Sequence, residues 1–242
     1  MKISILIPTF NNLSYLKFFL NSLKKNSLFK HEIIIHVNDG SDGTLDFVKK
    51  NNFKFTHSKE NIGLCSSMNK AYKLTTSDFL LYAHDDMYFC KNWDKYLIDE
   101  INKQKNNFYY LSGTNVSTRF GLINYNCGDA LENFDENKFL KFCIDDNTPD
   151  LQSSHWAPHL IHRELWDKIG GFSEEFNPGD GSDPDFCMKL WLENVRIFKG
   201  ISKFKVYHFN SLTTRNNKVT LNNGTKIFLL KYGFNPKFFR KY

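Results

Sequence analysis

An Asp-Asp pair directly follows an apolar segment in the first half of the chain. Residues 79–83 are Phe-Leu-Leu-Tyr-Ala, and Asp85 and Asp86 come next after a single histidine. Paired carboxylates at the end of a buried strand suit a hard divalent cation that also binds phosphate oxygens. Asp is also common in turns and at helix starts, so the pair taken alone fits either a metal site or an ordinary turn.

Three more residues could belong to such a site. Asp39 ends another apolar segment, where it is either a turn residue or a carboxylate that accepts hydrogen bonds from a nucleoside. Asp183 stands at a predicted helix start, where it either stabilises the helix dipole or takes a proton from a substrate hydroxyl. His208 ends the last predicted strand, and its imidazole becomes a metal ligand only if the fold brings it to the Asp pair.

Strand and helix patterns alternate along the chain, and the elements that they predict position these residues. The alternation predicts an α/β fold, with a Rossmann-like, open and mostly parallel sheet flanked by helices in a single domain. Ligands of such sheets bind beyond the carboxyl ends of the strands, which is where the polar clusters lie. The expected strands are residues 3–7, 32–37, 53–57, 79–83, one or two within 111–126, and 203–208, and the expected helices are 13–23, 44–51, 62–74, 92–104, 131–144, 163–169 and 183–192.

The composition is that of a globular protein with a sizeable core. The chain has 242 residues, of which 41% are hydrophobic and 16% aromatic, and its formal net charge is +6. The charges are scattered, which fits a solvated surface, and we expect no nucleic-acid partner. Five widely spaced cysteines form no C-x-x-C pair, which argues against a zinc or thiol-redox site. We find no signal-peptide pattern and no apolar stretch long enough to span a membrane, so we expect a cytoplasmic protein.

The C-terminal residues 221–242 mix basic and aromatic side chains. Lys231 and Lys237 stand among Phe228, Tyr232 and further aromatic residues. This composition fits an interfacial segment that holds the protein peripherally at the inner face of a membrane. A terminal helix packed on the domain fits it equally well.

The ordered set of motifs resembles the family 2 glycosyltransferases, which have the A-type glycosyltransferase fold. The resemblance extends from residue 1 to about residue 210, and its specificity comes from the order and spacing of the motifs rather than from any one of them. The motifs are ILIPTFN at 5–11, NDGSDGT at 38–44, NIG at 61–63 with Asn69 further on, HDDM at 84–87, GGFSEEF at 170–176, SDPDF at 182–186 and finally His208.

The resemblance implies an inverting enzyme that moves a sugar from a nucleoside diphosphate sugar, by default a UDP-sugar, to an acceptor hydroxyl. The acceptor is then a carbohydrate or a lipid-linked molecule, as in the synthesis of cell-surface polysaccharides or glycoconjugates. The resemblance also implies Mn²⁺ or Mg²⁺ as a cofactor bound by Asp86 and His208, with Asp183 as the catalytic base. The residues implied to bind the nucleotide sugar are Pro8, Thr9, Asn11, Asp39, Asn61, Gly63, Asn69 and Asp85.

The family pattern also implies how the chain is divided, and this sequence departs from it in three places. Residues 1–110 correspond to the nucleotide-sugar-binding half of a catalytic domain, residues 111–220 to its acceptor-binding half, and residues 221–242 to the basic aromatic tail. His84 replaces the first carboxylate of the family's metal motif, which leaves its role open. Ser182 stands where relatives have a second acidic residue, and Ser67 stands where many have Arg.

Trp156 and His159 belong to a predicted polar-aromatic loop that precedes Asp183. Aromatic faces stack on sugar rings, so this loop is a candidate wall for the acceptor, although Trp156 could equally pack in the core.

Two other functions suit the same sheet. A sugar nucleotidyltransferase usually has a Gly-rich basic loop after the first strand, where this chain has Pro8-Thr9-Phe10-Asn11. A non-catalytic carbohydrate-binding protein would not need to keep its acidic residues, which this chain retains. No G-x-G-x-x-G follows the first strand, which argues against a dinucleotide dehydrogenase.

Overall fold

The computed structural model describes residues 1–119, 121–152, 157–209 and 219–239. These residues form ten strands and nine helices, with two short 3₁₀ turns at Leu131–Asn133 and Glu174–Phe176. The strands are β1 (Ile3–Phe10), β2 (Glu32–Asn38), β3 (Lys54–Ser58), β4 (Phe79–Tyr82), β5 (Met87–Phe89), β6 (Tyr109–Ser117), β7 (Ile123–Asn124), β8 (Leu151–Gln152), β9 (His159–His162) and β10 (Ile197–His208). The helices are α1 (Leu13–Asn26), α2 (Thr44–Lys50), α3 (Leu64–Tyr72), α4 (Trp93–Ile101), α5 (Glu136–Asp145), α6 (Arg163–Ile169), α7 (Ser182–Leu192), α8 (Gly224–Tyr232) and α9 (Pro236–Phe239).

One mixed sheet contains these ten strands, in the order β3-β2-β1-β4-β9-β6-β10-β5, with β7 beside β6 and β8 beside β10. Strands β3, β2, β1 and β4 are parallel, and so are β6 and β10. Strand β9 runs antiparallel between β4 and β6, and β5 runs antiparallel to β10. The predicted α/β fold, with an open and mostly parallel sheet flanked by helices, is confirmed.

Strand β1 lies in the parallel part of the sheet and is largely buried, which explains its continuous apolar sequence. It continues to Phe10, beyond its expected end at Pro8. The carbonyl of Leu6 accepts a hydrogen bond from the N–H of Ala83, on the side of β4. The backbone nitrogen of Pro8 is directed toward the same side of β1, but β4 has already ended at that level. The sheet therefore needs no N–H donor from Pro8.

The sequence patterns miss β5 and β8, because strands of three and two residues are too short to show a period. They also miss β9, because only two of its four residues are apolar. Strand β10 begins earlier than expected and runs for 12 residues from Ile197. Its pairing with β6 shifts register between Ile201 and Lys205, and this irregularity interrupts the alternation on which a strand prediction depends.

One buried carboxylate joins the amino ends of the parallel strands. Glu32 Oε2 accepts hydrogen bonds from the Ser4 hydroxyl at 2.5 Å and from the N–H of Thr76 at 2.9 Å, while Lys54 Nζ lies 2.5 Å from Oε1. Burial acts to raise the pKa of Glu32, but these contacts outweigh it and lower the pKa to about 2. This network therefore lies at the end of the sheet opposite the predicted ligand-binding edge.

The helix α8 packs against the domain through the buried ring of Phe228. The N–H of Gly224 donates a hydrogen bond to Asp180 Oδ2 at 2.9 Å, and Lys231 Nζ lies 2.8 Å from Asp185 Oδ1. This part of the C-terminal tail is thus a packed helix, one of the two expected forms. No helix in the described ranges is long and apolar enough to cross a membrane.

Candidate active site

The carboxyl ends of β4 and β10 come together through a short strand. The histidine and two aspartates after β4 lead directly into β5, which pairs with β10 so that Met87 lies opposite His208. The N–H of Phe209 also donates a hydrogen bond to the carbonyl oxygen of Asp86 at 3.1 Å. This pairing, which the sequence patterns miss, brings His208 beside Asp86.

His84, Asp86 and His208 form a cluster that could bind a metal ion. One ligand atom from each residue lies within 4.8 Å of the others. His208 Nε2 is 3.0 Å from Asp86 Oδ1, and His84 Nδ1 is 3.3 Å from His208 Nε2. Two imidazoles and one carboxylate are a donor set that suits divalent transition metals. The residues present therefore fit a metal site, and His84 lies close enough to be a third ligand.

The protonation states of Asp86 and His84 also suit metal binding. Burial and the negative charge of Asp86 raise the pKa of Asp85 to about 7. Burial acts to raise the pKa of Asp86 as well, but the adjacent His208 outweighs it, and the pKa is lowered. Burial and the neighbouring His208 lower the pKa of His84 to about 4, so His84 is neutral at physiological pH. An ionised carboxylate and a neutral imidazole are the forms that bind metals.

A cavity of about 180 Å³ opens beside the cluster. Asp85 is fixed at its wall by the Thr9 hydroxyl, which donates a hydrogen bond to Asp85 Oδ2 at 2.6 Å. Asp86 and both histidines of the cluster line the cavity too. Four of the residues predicted to bind the nucleotide sugar lie in its wall, namely Pro8, Thr9, Asn61 and Asp85.

Asp39 and Asn11 pair with each other at the carboxyl ends of β2 and β1. Asn11 Nδ2 donates a hydrogen bond to Asp39 Oδ2 at 2.8 Å, and the Ser41 hydroxyl donates to the same oxygen at 3.0 Å. The hydrogen bond from Asn11 lowers the pKa of Asp39. Among the described residues, neither Asp39 nor Asn11 lines the cavity, but Asn11 directly follows its wall residue Phe10. The pair therefore forms a separate polar group next to the cavity.

The second half of the chain caps the start of α3. Gly63 has a φ of +83°, and a Cβ there would clash with the side chain of Asn177, so the position requires glycine. Asn177 Oδ1 accepts a hydrogen bond from the N–H of Cys65 at 3.0 Å, and the carbonyl of Pro178 accepts one from the N–H of Leu64 at 2.9 Å. Gly63 thus allows close packing, and two N–H groups of the helix start are used within the protein.

Asn69 fixes the segment that follows α6. Its Nδ2 donates a hydrogen bond to the carbonyl of Phe172 at 2.9 Å, and its Oδ1 accepts one from the N–H of Phe172 at 2.9 Å. Asn69 therefore contacts the segment after α6 and, like Asn11, Asp39 and Gly63, is not among the described residues in the cavity wall.

The two aspartates in the first turn of α7 have different surroundings. The Asp183 side chain is 23% exposed, and its Oδ1 lies 3.9 Å from His159 Nε2. Asp185 is fully buried, with its Oδ1 2.8 Å from Lys231 Nζ and 2.7 Å from the Tyr232 hydroxyl. Asp183 is therefore partly exposed, although it is not among the described residues in the cavity wall, whereas Asp185 anchors α8.

His159 lies on β9 instead of in the expected loop. Its ring is buried, with centroid distances of 4.8 Å to Tyr110 and 5.1 Å to Tyr82. Burial lowers the pKa of His159 to about 3, so the ring is neutral. The covered ring does not form an open acceptor wall here, because β9 occupies the interior of the sheet. Trp156 lies outside the described residues.

Two residues that the sequence analysis misses contact the histidines of the cluster. The Tyr82 hydroxyl is 2.6 Å from His84 Nε2, and Asn115 Nδ2 is 3.1 Å from His208 Nδ1. Both residues lie in buried strands, where a single polar side chain gives no indication of a partner on another strand.

Two sequence comparisons relate the chain to known proteins. A model of glycosyl transferase family 2 matches residues 4–170. The processive diacylglycerol beta-glycosyltransferase of Mycoplasma genitalium is 30% identical over an alignment of 112 residues, which covers 42% of this chain and 32% of that protein.

Solved structures share the fold at lower identity. The S. aureus TarS 1–349 structure in complex with UDP-GlcNAc has a TM-score of 0.65 at 19% identity, over 95% of this chain and 65% of that one. GalNAc-T7 with UDP, GalNAc and Mn²⁺ has a TM-score of 0.65 at 16% identity, over 93% of this chain and 45% of that one. A mannosyltransferase from Pyrobaculum calidifontis with GDP-Man and Mn²⁺ has a TM-score of 0.59 at 13% identity, over 85% of this chain and 56% of that one. The chain spans less than two thirds of each of these proteins.

Proposed function

Since the chain belongs to glycosyl transferase family 2, we propose that it moves a sugar from a nucleoside diphosphate sugar, by default a UDP-sugar, to an acceptor hydroxyl. The observation that carries this proposal is the cluster of His84, Asp86 and His208 in the wall of a cavity at the carboxyl ends of the strands. Ligands of open α/β sheets bind at this edge. The ligands named for the similar structures, UDP-GlcNAc and GDP-Man, belong to the same chemical class.

The donor half of the proposed enzyme is residues 1–110. Thr9, Asn61 and Asp85 contact the donor from the cavity wall, and Asp39 with its partner Asn11 accepts hydrogen bonds from the nucleoside. The hydrogen bonds from Asn11 and Ser41 keep the Asp39 carboxylate in one orientation, which suits recognition of a flat base.

We assign a metal ion to the cluster, with Mn²⁺ preferred over Mg²⁺. Mg²⁺ favours oxygen ligands and retains its water, whereas two of the three ligands here are imidazole nitrogens. When bound, a divalent cation at this place offsets the negative charge that develops on the leaving nucleoside diphosphate. Asp86 supplies the one charged ligand, so it contributes more to binding than either neutral histidine.

Asp183 is the proposed catalytic base. It accepts the proton of the acceptor hydroxyl while that oxygen bonds to the anomeric carbon and the bond to the diphosphate oxygen breaks on the opposite face. This single displacement inverts the configuration of the sugar and needs no second carboxylate as a nucleophile. The partial exposure of Asp183, in contrast to buried Asp185, supports this assignment.

The acceptor half of the proposed enzyme is residues 111–220, and its acceptor is a carbohydrate or a lipid-linked molecule. The name of the Mycoplasma relative, a diacylglycerol glycosyltransferase, supports a lipid acceptor. In the packed helix α8, Leu229 and Leu230 remain 45% and 76% exposed beside basic residues. We propose that this face of the tail contacts the inner surface of the membrane from the cytoplasm.

Calorimetric titration of UDP with and without Mn²⁺ tests the proposal. Mn²⁺ should strengthen UDP binding to the unchanged protein. Asp86→Ala should remove this Mn²⁺-dependent part, and His208→Ala should weaken it less, because a neutral ligand contributes less than a carboxylate. Asp145→Ala, at an exposed position at the end of α5, is the matched control and should change nothing. Full Mn²⁺ dependence in Asp86→Ala would contradict the assigned site.

A further inference from the structure

The two nitrogens of His208 face different partners. Nε2 lies 3.0 Å from Asp86 Oδ1 and 3.3 Å from His84 Nδ1, so it is the nitrogen that faces the proposed metal. Nδ1 lies 3.1 Å from the side-chain amide of Asn115. Asn115 is only 2% exposed, and burying an amide is costly unless it is hydrogen-bonded. The amide is therefore placed where it interacts with the far side of a ligand ring.

A histidine can bind a metal through Nε2 only if that nitrogen presents its lone pair. The ring proton is then on Nδ1, where it needs a hydrogen-bond acceptor. With Nδ2 of Asn115 directed at the ring, two donors face each other, and Oδ1 has no hydrogen-bond partner among the described residues. A half turn of the amide exchanges the two atoms without changing its shape, and places Oδ1 against the Nδ1–H group.

We propose that Asn115 is a positioning residue whose Oδ1 accepts the Nδ1–H of His208 and so fixes the ring with Nε2 toward the metal. The inference rests on the proposed metal site. A metal-binding histidine usually donates its other N–H to a carboxylate, a carbonyl or water, and this partner sets the orientation and basicity of the ring. Asn115 supplies that partner from a different strand.

The backbone around Asn115 makes this partner rigid. Asn115 lies on β6, which pairs in parallel with β10, and its register partner Val206 is two residues before His208. The hydroxyl of its neighbour Thr114 also donates a hydrogen bond to the carbonyl of Ile201 at 3.0 Å, but this side-chain bond is separate from the backbone ladder that sets the register. The position of the amide relative to the ring is thus set by sheet hydrogen bonds instead of by a loop.

Three variants separate this role from a structural one. Asn115→Leu removes the acceptor and should weaken Mn²⁺ binding by roughly 10- to 100-fold, the usual effect of losing such a partner. Asn115→Asp keeps an acceptor but cannot donate, so it should retain Mn²⁺ affinity. Thr114→Val removes a buried hydrogen bond from the same strand and should leave Mn²⁺ affinity unchanged. Mn²⁺ binding is measured by electron paramagnetic resonance of the free ion, and thermal melting shows that each variant is folded.

Asn115→Asp binding Mn²⁺ as weakly as Asn115→Leu would overturn the proposal, since it would mean that the amide donates to the ring. A second measurement does not depend on the metal. In long-range ¹H–¹⁵N spectra of the metal-free protein, Nδ1 of His208 should carry a proton. An unprotonated Nδ1 would overturn the role of Asn115 even if Mn²⁺ binds. A protonated Nδ1 in a protein that binds no Mn²⁺ would refute the metal site but would leave the Asn115 hydrogen bond in place.

Discussion

Asp183 and Asp185 lie two positions apart in the first turn of α7, and we predict that the same substitution affects different properties at each. Asp183→Asn preserves the shape of the side chain but removes the proton acceptor. It should lower the transfer rate by ~10²–10⁴, the usual contribution of general base catalysis. Its effect on stability should be at most ~1 kcal/mol, the value of one negative charge at a helix start.

Asp185→Asn should instead reduce stability. Removing one partner of a buried ion pair costs about 3–5 kcal/mol when the remaining charge is left alone. Here Lys231 keeps Glu175 at 2.7 Å, and the Tyr232 hydroxyl can still donate to the Asn carbonyl. We therefore expect a loss of ~1–3 kcal/mol, which for a chain of 242 residues is a fall in melting temperature on the order of 5 °C.

Initial rates and thermal melts of the two variants test this contrast, together with UDP titrations that show whether the donor still binds. Lys231→Met is a matched control, because it breaks the same ion pair from the other side. It should lower the melting temperature while leaving the rate within about tenfold of the unchanged protein, as an anchoring role requires. If Asp185→Asn abolishes transfer at full stability while Asp183→Asn stays active, the base is assigned to the wrong aspartate.

Three further predictions concern other parts of the molecule. Asp39→Ala should weaken UDP binding on the order of tenfold in calorimetry, and unchanged affinity would make Asp39 a turn residue only. Glu32→Gln should lower the free energy of unfolding by about 3 kcal/mol at neutral pH. The pKa of Glu32 is lowered from 4.5 in the unfolded chain to about 2 in the fold, and this shift stabilises the fold at every pH above the unfolded pKa. That contribution is lost as pH falls toward the folded pKa, so urea unfolding near pH 2 should no longer distinguish the variant, and a pH-independent difference would refute the reasoning. Replacing both Leu229 and Leu230 with Ser should reduce sedimentation of the full chain with anionic liposomes, and equal sedimentation would remove the proposed membrane contact.

The first four strands and their parallel direction were predictable, because β1, β2 and β4 have continuous apolar segments that end at polar clusters and β3 shows an alternating pattern. Strand β9 was not, since His159–His162 has only two apolar residues, and its position between β4 and β6 depends on pairing with distant segments. The same reason hid β5. Periodicity within one segment carries information about burial but none about a short partner strand elsewhere in the chain.

Some contacts of the candidate site were likewise predictable from the sequence, and others were not. The family resemblance predicts Asp86 and His208 as metal ligands, and the structure brings these two residues together with His84. The contacts of Tyr82 and Asn115 were not predictable, because a polar residue in a buried strand does not indicate what it faces. The backbone contacts of Asn69 were hidden as well, since an amide can bind a ligand or a loop equally well.

The antiparallel pairing of β5 with β10 couples the site to the completion of folding. Asp86 comes from the early part of the chain and His208 from the last strand of the sheet, and they meet only when Met87 and His208 are in register. An ion held by both residues binds only conformations in which that pairing exists, so it stabilises them by mass action. Affinity for the proposed ion would therefore report whether β10 has docked, and a shortened chain that ends before β10 lacks His208 and cannot form the complete cluster, however well strands β1 to β4 fold.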